Sequence, residues 1–439
     1  MRTPQAGWSL LRARLRWLVP GLGVKRWLVL LLVGAAVAGL GWAYLLVDLA
    51  TAPPGTLGLG SLTHLGPTII LGLAGLAIML AAFAQIQQTL LAPFVRPGHD
   101  LASAVSEHRR RGRGPRVVAI GGGTGLSILL RGLKQHSSNL TAIVTVADDG
   151  GSSGRLRRSL GVLPPGDFRN CIAALADDEA LTTQLFQYRF GSDQDLGGHS
   201  FGNLFITAMA EVTGSFERAL VEASRVLAIR GQVLPSTLQN VTLVGELEVT
   251  GEPVNRVEGE SQIPLAQGAI RRVYLQPDQV SAYPAAIRAL LEADMIVLGP
   301  GSLYTSLLPN LLVGDLAQAI AASRALKVYV CNTATQPGET TGYNVRDHVE
   351  AIERHTQAGL FPTVLANERQ EGPLLPGLAW VPVAAPVNGQ RSLVGADLID
   401  IQRPWRHDST KLAAALITLL SQAQAQAPEP GRPLQVPIA

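Results

Sequence analysis

Two long apolar segments near the N-terminus stand apart from the mixed pattern that follows them. Lys, Arg, Asp and Glu are absent between Arg26 and Asp48, and again between Asp48 and Arg96. A run of about 20 apolar residues is long enough to cross the hydrocarbon core of a bilayer as a helix. We therefore expect two transmembrane helices, over about residues 27–47 and 67–90.

A cleaved signal peptide is the alternative for the first segment. That segment is long for the apolar part of a signal, and a second apolar span follows it, so a membrane hairpin is favoured. Basic residues flank the hairpin within 12–26 and 96–116, whereas the connector at 52–65 has none. The positive-inside rule then places both termini and the globular part in the cytoplasm, at the inner (cytoplasmic) membrane.

The charge balance also separates the N-terminal part from the rest. Residues 1–116 carry a net charge of +9 and residues 117–439 carry −6. The basic pI therefore reflects the membrane flanks, and we expect no nucleic-acid partner. The arginines of 109–116 are expected to meet anionic lipid head groups. Cys171 and Cys331 lack metal-ligand spacing, which fits a reduced cytoplasmic domain.

The remaining pattern predicts one α/β domain. We divide the chain into a membrane hairpin (1–95), a basic linker (96–115), a globular domain (116–423) and a flexible tail (424–439). In the globular part, apolar runs of strand length alternate with helical periodicity, which is typical of a mostly parallel sheet with crossover helices. Residues 241–272 contain strand patterns without helices between them, so we expect a β-rich insertion or an antiparallel edge.

The pattern also gives approximate boundaries. Strands are expected near 117–120, 143–146, 241–247, 272–275, 295–298, 328–331, 363–366 and 378–382. Helices are expected near 125–134, 203–211, 216–228, 285–292, 316–324, 345–355 and 409–422.

The first predicted strand ends in a glycine turn. Residues 121–125 read GGGTG, and a helical pattern follows. Glycines at such a turn let backbone N–H groups approach a pyrophosphate at the helix N-terminus. Leu126 stands where the strict dinucleotide motif has its third glycine. A tight turn without a ligand therefore stays open as the alternative.

The second predicted strand runs into ADDGGSSGRLR, residues 147–157. Asp148 and Asp149 can hold a ribose hydroxyl, a divalent metal or a basic partner. Arg155 and Arg157 supply charge for phosphate, so acidic and basic groups flank a flexible glycine loop. A solvated loop with local salt bridges is the alternative.

Two further motifs contain candidate contacts at helix starts. In PPGDFRN, Asp167 is either a helix N-cap or a ligand contact, and Asn170 lies on the first turn. In GHSFGNL, Ser200 can cap the next helix, with Asn203 on its first turn. A general-base role for His199 is the less favoured alternative to a structural one, because no Ser–His–Asp pattern is visible nearby.

Two later strands also end in polar turns. The strand at 295–298 ends in a glycine-rich turn with Gly299, Gly301 and Ser302, and the strand at 328–331 is followed by Asn332 and Gln336. Strand-end turns line the ligand crevice in parallel α/β sheets. Ordinary crossover turns and polar surface loops are the alternatives.

Four strand-end loops with compatible chemistry together indicate one nucleotide-type crevice. A general base cannot be named from the sequence, so catalytic residues stay unassigned. The candidate ligand contacts are Gly121, Gly122, Gly123, Thr124, Gly125, Asp148, Asp149, Ser152, Ser153, Arg155, Asp167, Asn170, Asn203, Gly299, Gly301, Ser302, Asn332 and Gln336.

These motifs, in this order, resemble the YvcK-like family, often called gluconeogenesis factors, within the CofD-like superfamily. The matching segments are IGGGTGLS (120–127), DDGGSSGRLR (148–157), PPGDFRN (164–170), GHSFGNL (198–204), GPGSLYTSLLPNLL (299–312) and TQPGET (335–340). The resemblance extends from Arg116 to about Leu420. It implies a three-layer α/β/α Rossmann-like fold, here preceded by two transmembrane helices.

The resemblance also implies a function. Family members are linked to cell shape and envelope-precursor metabolism during growth on gluconeogenic carbon, and they bind UDP-N-acetylglucosamine. By this resemblance, the ligand contacts of the family correspond to Gly121–Gly123, Asp148, Asp149 and Gly299–Ser302 in this chain. We therefore expect a membrane-tethered regulator that binds a nucleotide sugar and requires no cofactor. A protein partner in envelope synthesis and a homo-oligomer are further expectations.

Two enzymatic alternatives remain open. The superfamily includes 2-phospho-L-lactate transferase, which implies transfer on a phosphorylated or nucleotide-linked substrate with Mg²⁺ held by Asp148 or Asp149. Here GGSSGRLR follows those carboxylates, where the transferase has a more apolar continuation, and the transferase lacks GPGSLY. A dinucleotide-dependent oxidoreductase is the other alternative, and the imperfect glycine motif counts against it.

Overall fold

The computed structural model describes residues 25–51, 62–91, 112, 114–176, 179–191, 196–249, 251, 253–383 and 392–426. Most of the predicted connector and basic linker, and the tail beyond Gln426, lie outside the described residues. The chain divides into two compact units, Met1–Arg109 and Arg110–Ala439.

The elements are numbered in chain order. The helices are α1 (Lys25–Thr51), α2 (Leu62–Leu91), α3 (Gly123–Leu133), α4 (Gly151–Leu160), α5 (Gly166–Leu175), α6 (Glu179–Gln187), α7 (Phe201–Thr213), α8 (Phe216–Val226), α9 (Pro284–Glu292), α10 (Leu308–Leu311), α11 (Gly314–Ala322), α12 (Val345–His355) and α13 (Ser409–Gln426). The strands are β1 (Val117–Gly121), β2 (Leu140–Val144), β3 (Gln232–Pro235), β4 (Thr242–Glu248), β5 (Asn255–Glu258), β6 (Ala269–Gln276), β7 (Met295–Leu298), β8 (Leu326–Val330), β9 (Thr363–Asn367), β10 (Ser392–Ala396), β11 (Ile399–Asp400) and β12 (Arg403–His407).

The N-terminal unit is a pair of packed helices, α1 and α2. Small residues form their contact, because a Cβ on Gly41 would meet the backbone of Gly72 and a Cβ on Gly75 would collide with Ala38. Small side chains let two helices approach closely when lipid surrounds them. Segments of 23 and 22 residues in these helices are long and apolar enough to span a membrane.

The globular unit is built on a seven-stranded parallel sheet with the order β10-β9-β8-β7-β1-β2-β3. Every residue of β1, β2 and β7 is buried, as expected for strands covered on both faces. The chain moves outward from β1 in one direction to β2 and β3, and in the other from β7 to β10. Right-handed crossovers in opposite directions place helices on both faces of the sheet.

The contacts between helices agree with the presence of helices on both faces of the sheet. Helix α3 contacts α5 and α13, whereas α9 contacts α11. The predicted β-rich insertion is confirmed, since β4 pairs antiparallel with both β5 and β6. The mostly parallel α/β fold expected from the sequence is likewise confirmed.

Some local predictions are wrong. Residues 378–382 form no strand of the sheet, because their pairing is limited to one isolated antiparallel bridge between Trp380 and Ala334, in which the N–H of Val381 donates to the carbonyl of Thr333. The GGSSG run is no loop but the start of α4, which places its small residues against neighbouring helices. The sequence pattern also missed β3 and β5, which have only four residues each, and the half-buried strand β10.

Candidate functional site

The strand order reverses between β1 and β7, and a cavity lies at the carboxyl ends of these strands. Such a switch point is where open parallel α/β sheets bind ligands. The cavity has a volume of about 490 Å³, which lies within the range of small-molecule sites. Helix α3 begins there at Gly123 after the extended residue Gly122, and the first N–H groups of a helix lack partners within it.

The turn after β7 forms a second wall and is clamped by the turn after β8. Asn332 accepts from the N–H of Gly301 at 3.2 Å and donates to the carbonyl of the same residue at 2.8 Å. Gln336 donates from Nε2 to Oγ of Ser302 at 2.7 Å. Since Asn332 binds both backbone groups of Gly301, it sets the position of the turn relative to the cavity.

The structure divides the predicted ligand contacts into two groups. The first group lines the cavity and consists of Gly122, Gly123, Thr124, Gly125, Gly301, Ser302, Asn332 and Gln336. Gly121 and Gly299 lie behind this wall: the carbonyl of Gly121 accepts from Asn310 at 3.1 Å, and the N–H of Gly299 donates to Ile120 at 2.9 Å.

The second group of predicted contacts lies outside the cavity lining and includes three carboxylates beside the glycine turn. Asp148 accepts the N–H of Gly150 at 2.9 Å, and Asp149 accepts the N–H of Ser261 at 2.9 Å. Asp167 accepts the N–H of Gly123, so it connects this group with the cavity wall. It is not the cap of α5, because Pro165 occupies that position.

Burial and mutual repulsion raise the pKa values of these acids. Burial, followed by the charge of Asp148, raises the pKa of Asp167 to about 7. Burial also raises the pKa of Asp148. The same cause, with the charge of Asp148 next, raises the pKa of Glu260 well above its ordinary value. The sequence prediction missed Glu260, which the β-rich insertion brings to this group.

Polar side chains complete the second group. Asn203 donates to the hydroxyls of Ser152 and Ser153 at 3.1 and 3.5 Å. Oγ of Ser152 lies 3.0 Å from Nδ1 of His199, a pair that no sequence pattern indicated. As predicted, Ser200 caps α7.

The arginines of these motifs bind protein groups. Arg155 donates to the carbonyl of Gly197 at 2.9 Å, and Arg157 reaches Asn240. Arg169 donates to Ser200 at 2.6 Å and to Oδ1 of Asn170 at 2.9 Å. These contacts hold the loops of the second group together.

Within the described ranges, no three His, Cys, Asp or Glu side chains are placed to hold a metal ion. Asp148 and Asp149 each have one oxygen engaged by a backbone N–H. Mg²⁺ at this position would therefore need oxygen ligands from a bound phosphate as well.

The sequence prediction also missed one side of the cavity. Residues from β12 and its surroundings line it, in particular Trp405, Arg406 and His407, together with Thr333 after β8. These residues belong to a polar segment directly before the last predicted helix. The pattern of that segment does not predict a strand, so β12 was missed.

The fold and the cavity define a Rossmann-like α/β protein with a cavity at the switch point of a parallel sheet. Residues 117–377 match the model of the CofD family, described as 2-phospho-L-lactate transferase CofD. The chain belongs to this CofD-like family, and its curated relatives place it in the gluconeogenesis-factor branch.

Three relatives show the extent of the similarity. The gluconeogenesis factor of Bacillus subtilis strain 168 is 45% identical over 320 residues, which cover 71% of this chain and 100% of that protein. A Nostoc sp. protein, provisionally named gluconeogenesis factor, is 52% identical over 375 residues, covering 81% of this chain and 79% of its own. A crystal structure of an upf0052 family member from Bacillus halodurans has a TM-score of 0.64 and 43% identity, covering 70% of this chain and 99% of that chain.

Proposed function

We propose that this protein is a membrane-tethered regulator that binds UDP-N-acetylglucosamine in the cavity between β1, β7 and β8. The observation that carries the proposal is the cavity of about 490 Å³ at the switch point, between two glycine turns. The N–H groups that follow Gly123 at the start of α3 have no partner within the helix and suit a diphosphate. The amide of Gln336, which donates one of its two N–H groups to Ser302, and the ring of Trp405 suit a sugar and a base.

A binding role without turnover is supported by the chemistry of the cavity wall. Glu339, Arg406 and His407 are the ionisable residues among the described lining residues. Glu339 is engaged by the N–H of Tyr304 and the hydroxyl of Thr305, both at 3.1 Å. Burial lowers the pKa of His407 to about 4. His407 is thereby unsuited to exchange a proton near neutral pH. Burial raises the pKa of Glu339, but protein donors engage both of its carboxylate oxygens.

The helical hairpin supports a membrane tether. Leu32 is 68% exposed, Leu46 66% and Ile70 67%, and an apolar surface of this kind needs lipid or another apolar partner. The B. subtilis relative is matched in full by 71% of this chain, so the remainder is additional to what that protein contains. The tether would hold the regulator, with the globular unit in the cytoplasm, beside a partner enzyme of envelope synthesis and so influence cell shape. A homo-oligomer is compatible with this role.

Calorimetry on the full chain in detergent tests the proposal. UDP-N-acetylglucosamine, UDP-glucose, NAD and GTP are titrated with and without Mg²⁺. We expect micromolar binding of the UDP-sugar without a need for metal, and no product on long incubation. Gln336→Ala should weaken it, whereas Gln318→Ala, on the exposed face of α11, should not. Absence of binding by the UDP-sugars would overturn the proposal.

A transferase is the second candidate, and the acidic group beside the glycine turn favours it. Asp167, with its pKa of about 7, and Asp148 lie where phosphoryl oxygens or Mg²⁺ would approach. Mass spectrometry after incubation of UDP-sugars and phosphorylated hydroxy acids with Mg²⁺ tests it. A product that disappears in Asp148→Asn would replace the regulator proposal by this one.

A further inference from the structure

Glu339 supplies the only carboxylate among the described residues that line the cavity, and it is 8% exposed. Oε2 accepts the N–H of Tyr304 at 3.1 Å, and Oε1 accepts the hydroxyl of Thr305 at 3.1 Å. The N–H of Thr305 also bonds to this carboxylate. Burial raises the pKa of Glu339, but donors at both oxygens favour the ionised form. Glu339 therefore brings a negative charge to the cavity wall.

The loop that carries Glu339 holds this carboxylate in place. The N–H of Glu339 donates to the carbonyl of Gln336 at 3.1 Å, and the hydroxyl of Thr340 accepts the N–H of Gln336 at 2.9 Å. Gly338 has φ +80°, and a Cβ at this residue would collide with the carbonyl of Pro264. Because the loop is packed in this way, the carboxylate has little room to withdraw from a bound anion.

Little positive charge opposes Glu339. Arg406 is the one permanent cation among the described lining residues, because burial lowers the pKa of His407 to about 4. Burial and, after it, the charges of the neighbouring aspartates and of Glu339 raise the pKa of Glu260. The cavity wall and the acidic group thus lie within reach of each other's charge. Each further negative charge on a ligand is therefore repelled in this cavity.

We propose that Glu339 limits the negative charge of the ligand. The residue selects a nucleoside diphosphate that is esterified at its terminal phosphate over free nucleoside diphosphates and triphosphates. This inference rests on the nucleotide-sugar function proposed above. A sugar ester removes one ionisable hydroxyl from the terminal phosphate and leaves the rest of the nucleotide unchanged. Rejection of the free nucleotides then arises from repulsion and needs no contact with the sugar.

The test compares three variants of the full chain in detergent with the unaltered protein. Glu339→Gln removes the charge and keeps an oxygen that can accept the N–H of Tyr304, whereas Glu339→Asp keeps the charge. Asp347→Asn is the matched control: Asp347 also accepts a backbone N–H, that of Asn344 at 2.8 Å, but it does not line the cavity. Thermal unfolding without ligand shows whether each variant is folded.

The ligands differ in charge at one end only. They are UDP-N-acetylglucosamine, UDP, UDP with a methyl ester on its terminal phosphate, and UTP, all without divalent cations. Calorimetry is run at about pH 8, where a free terminal phosphate carries its second charge because the pKa for that step is about 6. The methyl ester lacks this charge and adds only a methyl group.

The unaltered protein should bind the methyl ester more tightly than UDP, and UDP more tightly than UTP. Glu339→Gln should improve the affinity for UTP by about tenfold and that for UDP by less, since the repulsion grows with the number of charges. Its affinity for the methyl ester should change least, so the preference for the ester over UDP should shrink. Glu339→Asp should keep most of this preference, and Asp347→Asn should leave every Kd unchanged.

Several results would overturn the charge limit. Tighter binding of UDP than of its methyl ester by the unaltered protein does so without any variant. A loss in Glu339→Gln confined to UDP-N-acetylglucosamine would make the carboxylate an acceptor for sugar hydroxyls, and an equal change for all four ligands would make its role structural. The proposed function stands in these cases. If the unaltered protein binds none of the uridine compounds, the proposed function fails and the inference fails with it.

Discussion

Gly122 and Asp167 lie so close together that a Cβ on Gly122 would stand 2.5 Å from Oδ2 of Asp167. The next residue, Gly123, donates its N–H to the same carboxylate. The start of α3 is thereby joined to the first turn of α5. This contact connects the wall of the cavity with the acidic group beside it.

Gly122→Ala tests this close approach. Gly122 has extended backbone angles that alanine also adopts, with φ −167°, so any penalty comes from the collision with Asp167 and with Thr145, 3.0 Å from the Cβ position. We expect the free energy of unfolding to fall by about 1–3 kcal/mol, together with weaker ligand binding. Denaturant unfolding and calorimetry measure the two effects.

Gly314→Ala is the control for that variant. A Cβ at Gly314, at the start of α11, meets no atom within 4 Å. Its free energy of unfolding should stay within about 0.5 kcal/mol of the unaltered protein. Equal losses in both variants would show that the contact with Asp167 is not responsible.

Asp167→Asn should change how stability depends on pH. The pKa of this carboxyl is raised from 3.8 to about 7 in the folded protein, so the folded state holds the proton more tightly than the unfolded chain. The stabilisation that the protonated Asp167 carboxyl contributes is complete below about pH 4 and is lost as the pH rises through 7. An asparagine at this position does not ionise, so it loses no stability as the pH rises, and its side-chain oxygen can still accept the N–H of Gly123.

We therefore expect Asp167→Asn to exceed the unaltered protein in free energy of unfolding by about 1–3 kcal/mol at pH 8. The difference should shrink toward zero near pH 4, where both side chains are neutral. Denaturant unfolding at the two pH values measures it. The same difference at both values would rule out a raised pKa of Asp167 as the cause.

Asn332→Asp should disturb the turn after β7. The amide of Asn332 donates to the Gly301 carbonyl at 2.8 Å and to Oε1 of Gln336 at 3.2 Å, and a carboxylate would repel both oxygens. We expect a loss of about 2 kcal/mol in the free energy of unfolding and at least tenfold weaker binding of the UDP-sugar, measured by denaturation and calorimetry.

Asn139→Asp offers the same substitution away from the cavity. Nδ2 of Asn139 also donates to two carbonyls, those of Gly112 and Gly114, but at an exposed position before β2. It should cost less stability and leave the Kd unchanged. Similar losses of affinity in both aspartate variants would contradict a specific role for Asn332.

Cysteine labelling tests the membrane topology. Cys171 and Cys331 are buried and should not react. We expect a membrane-impermeant maleimide to label Thr56→Cys, in the predicted connector, in intact spheroplasts. Ser421→Cys, on the exposed side of α13, should react only after the membrane is opened. Labelling of Ser421→Cys in intact spheroplasts would place the globular unit outside the cytoplasm.

Much of the sheet could be predicted because its strands are continuous buried runs. The expected bounds of β7 and α12 agree with the structure, and β1 extends one residue further. The glycine turns were identified from local pattern alone, because a strand followed by glycines and a helix is a short-range signal. The weakly apolar strand β12 was not predicted, so Trp405 and His407 were not identified as residues of the cavity.

The two apolar helices, the α/β class and the polar strand-end loops follow from local sequence, since each depends on residues that are neighbours along the chain. Which of these loops share a cavity depends on tertiary packing. The order of strands places β7 beside β1 and brings Thr333 and His407 to one wall, while Asp148 and Asn203 gather on the other side of Asp167. Contacts of this kind depend on how buried surfaces pack over long sequence separations, and no local pattern contains that information.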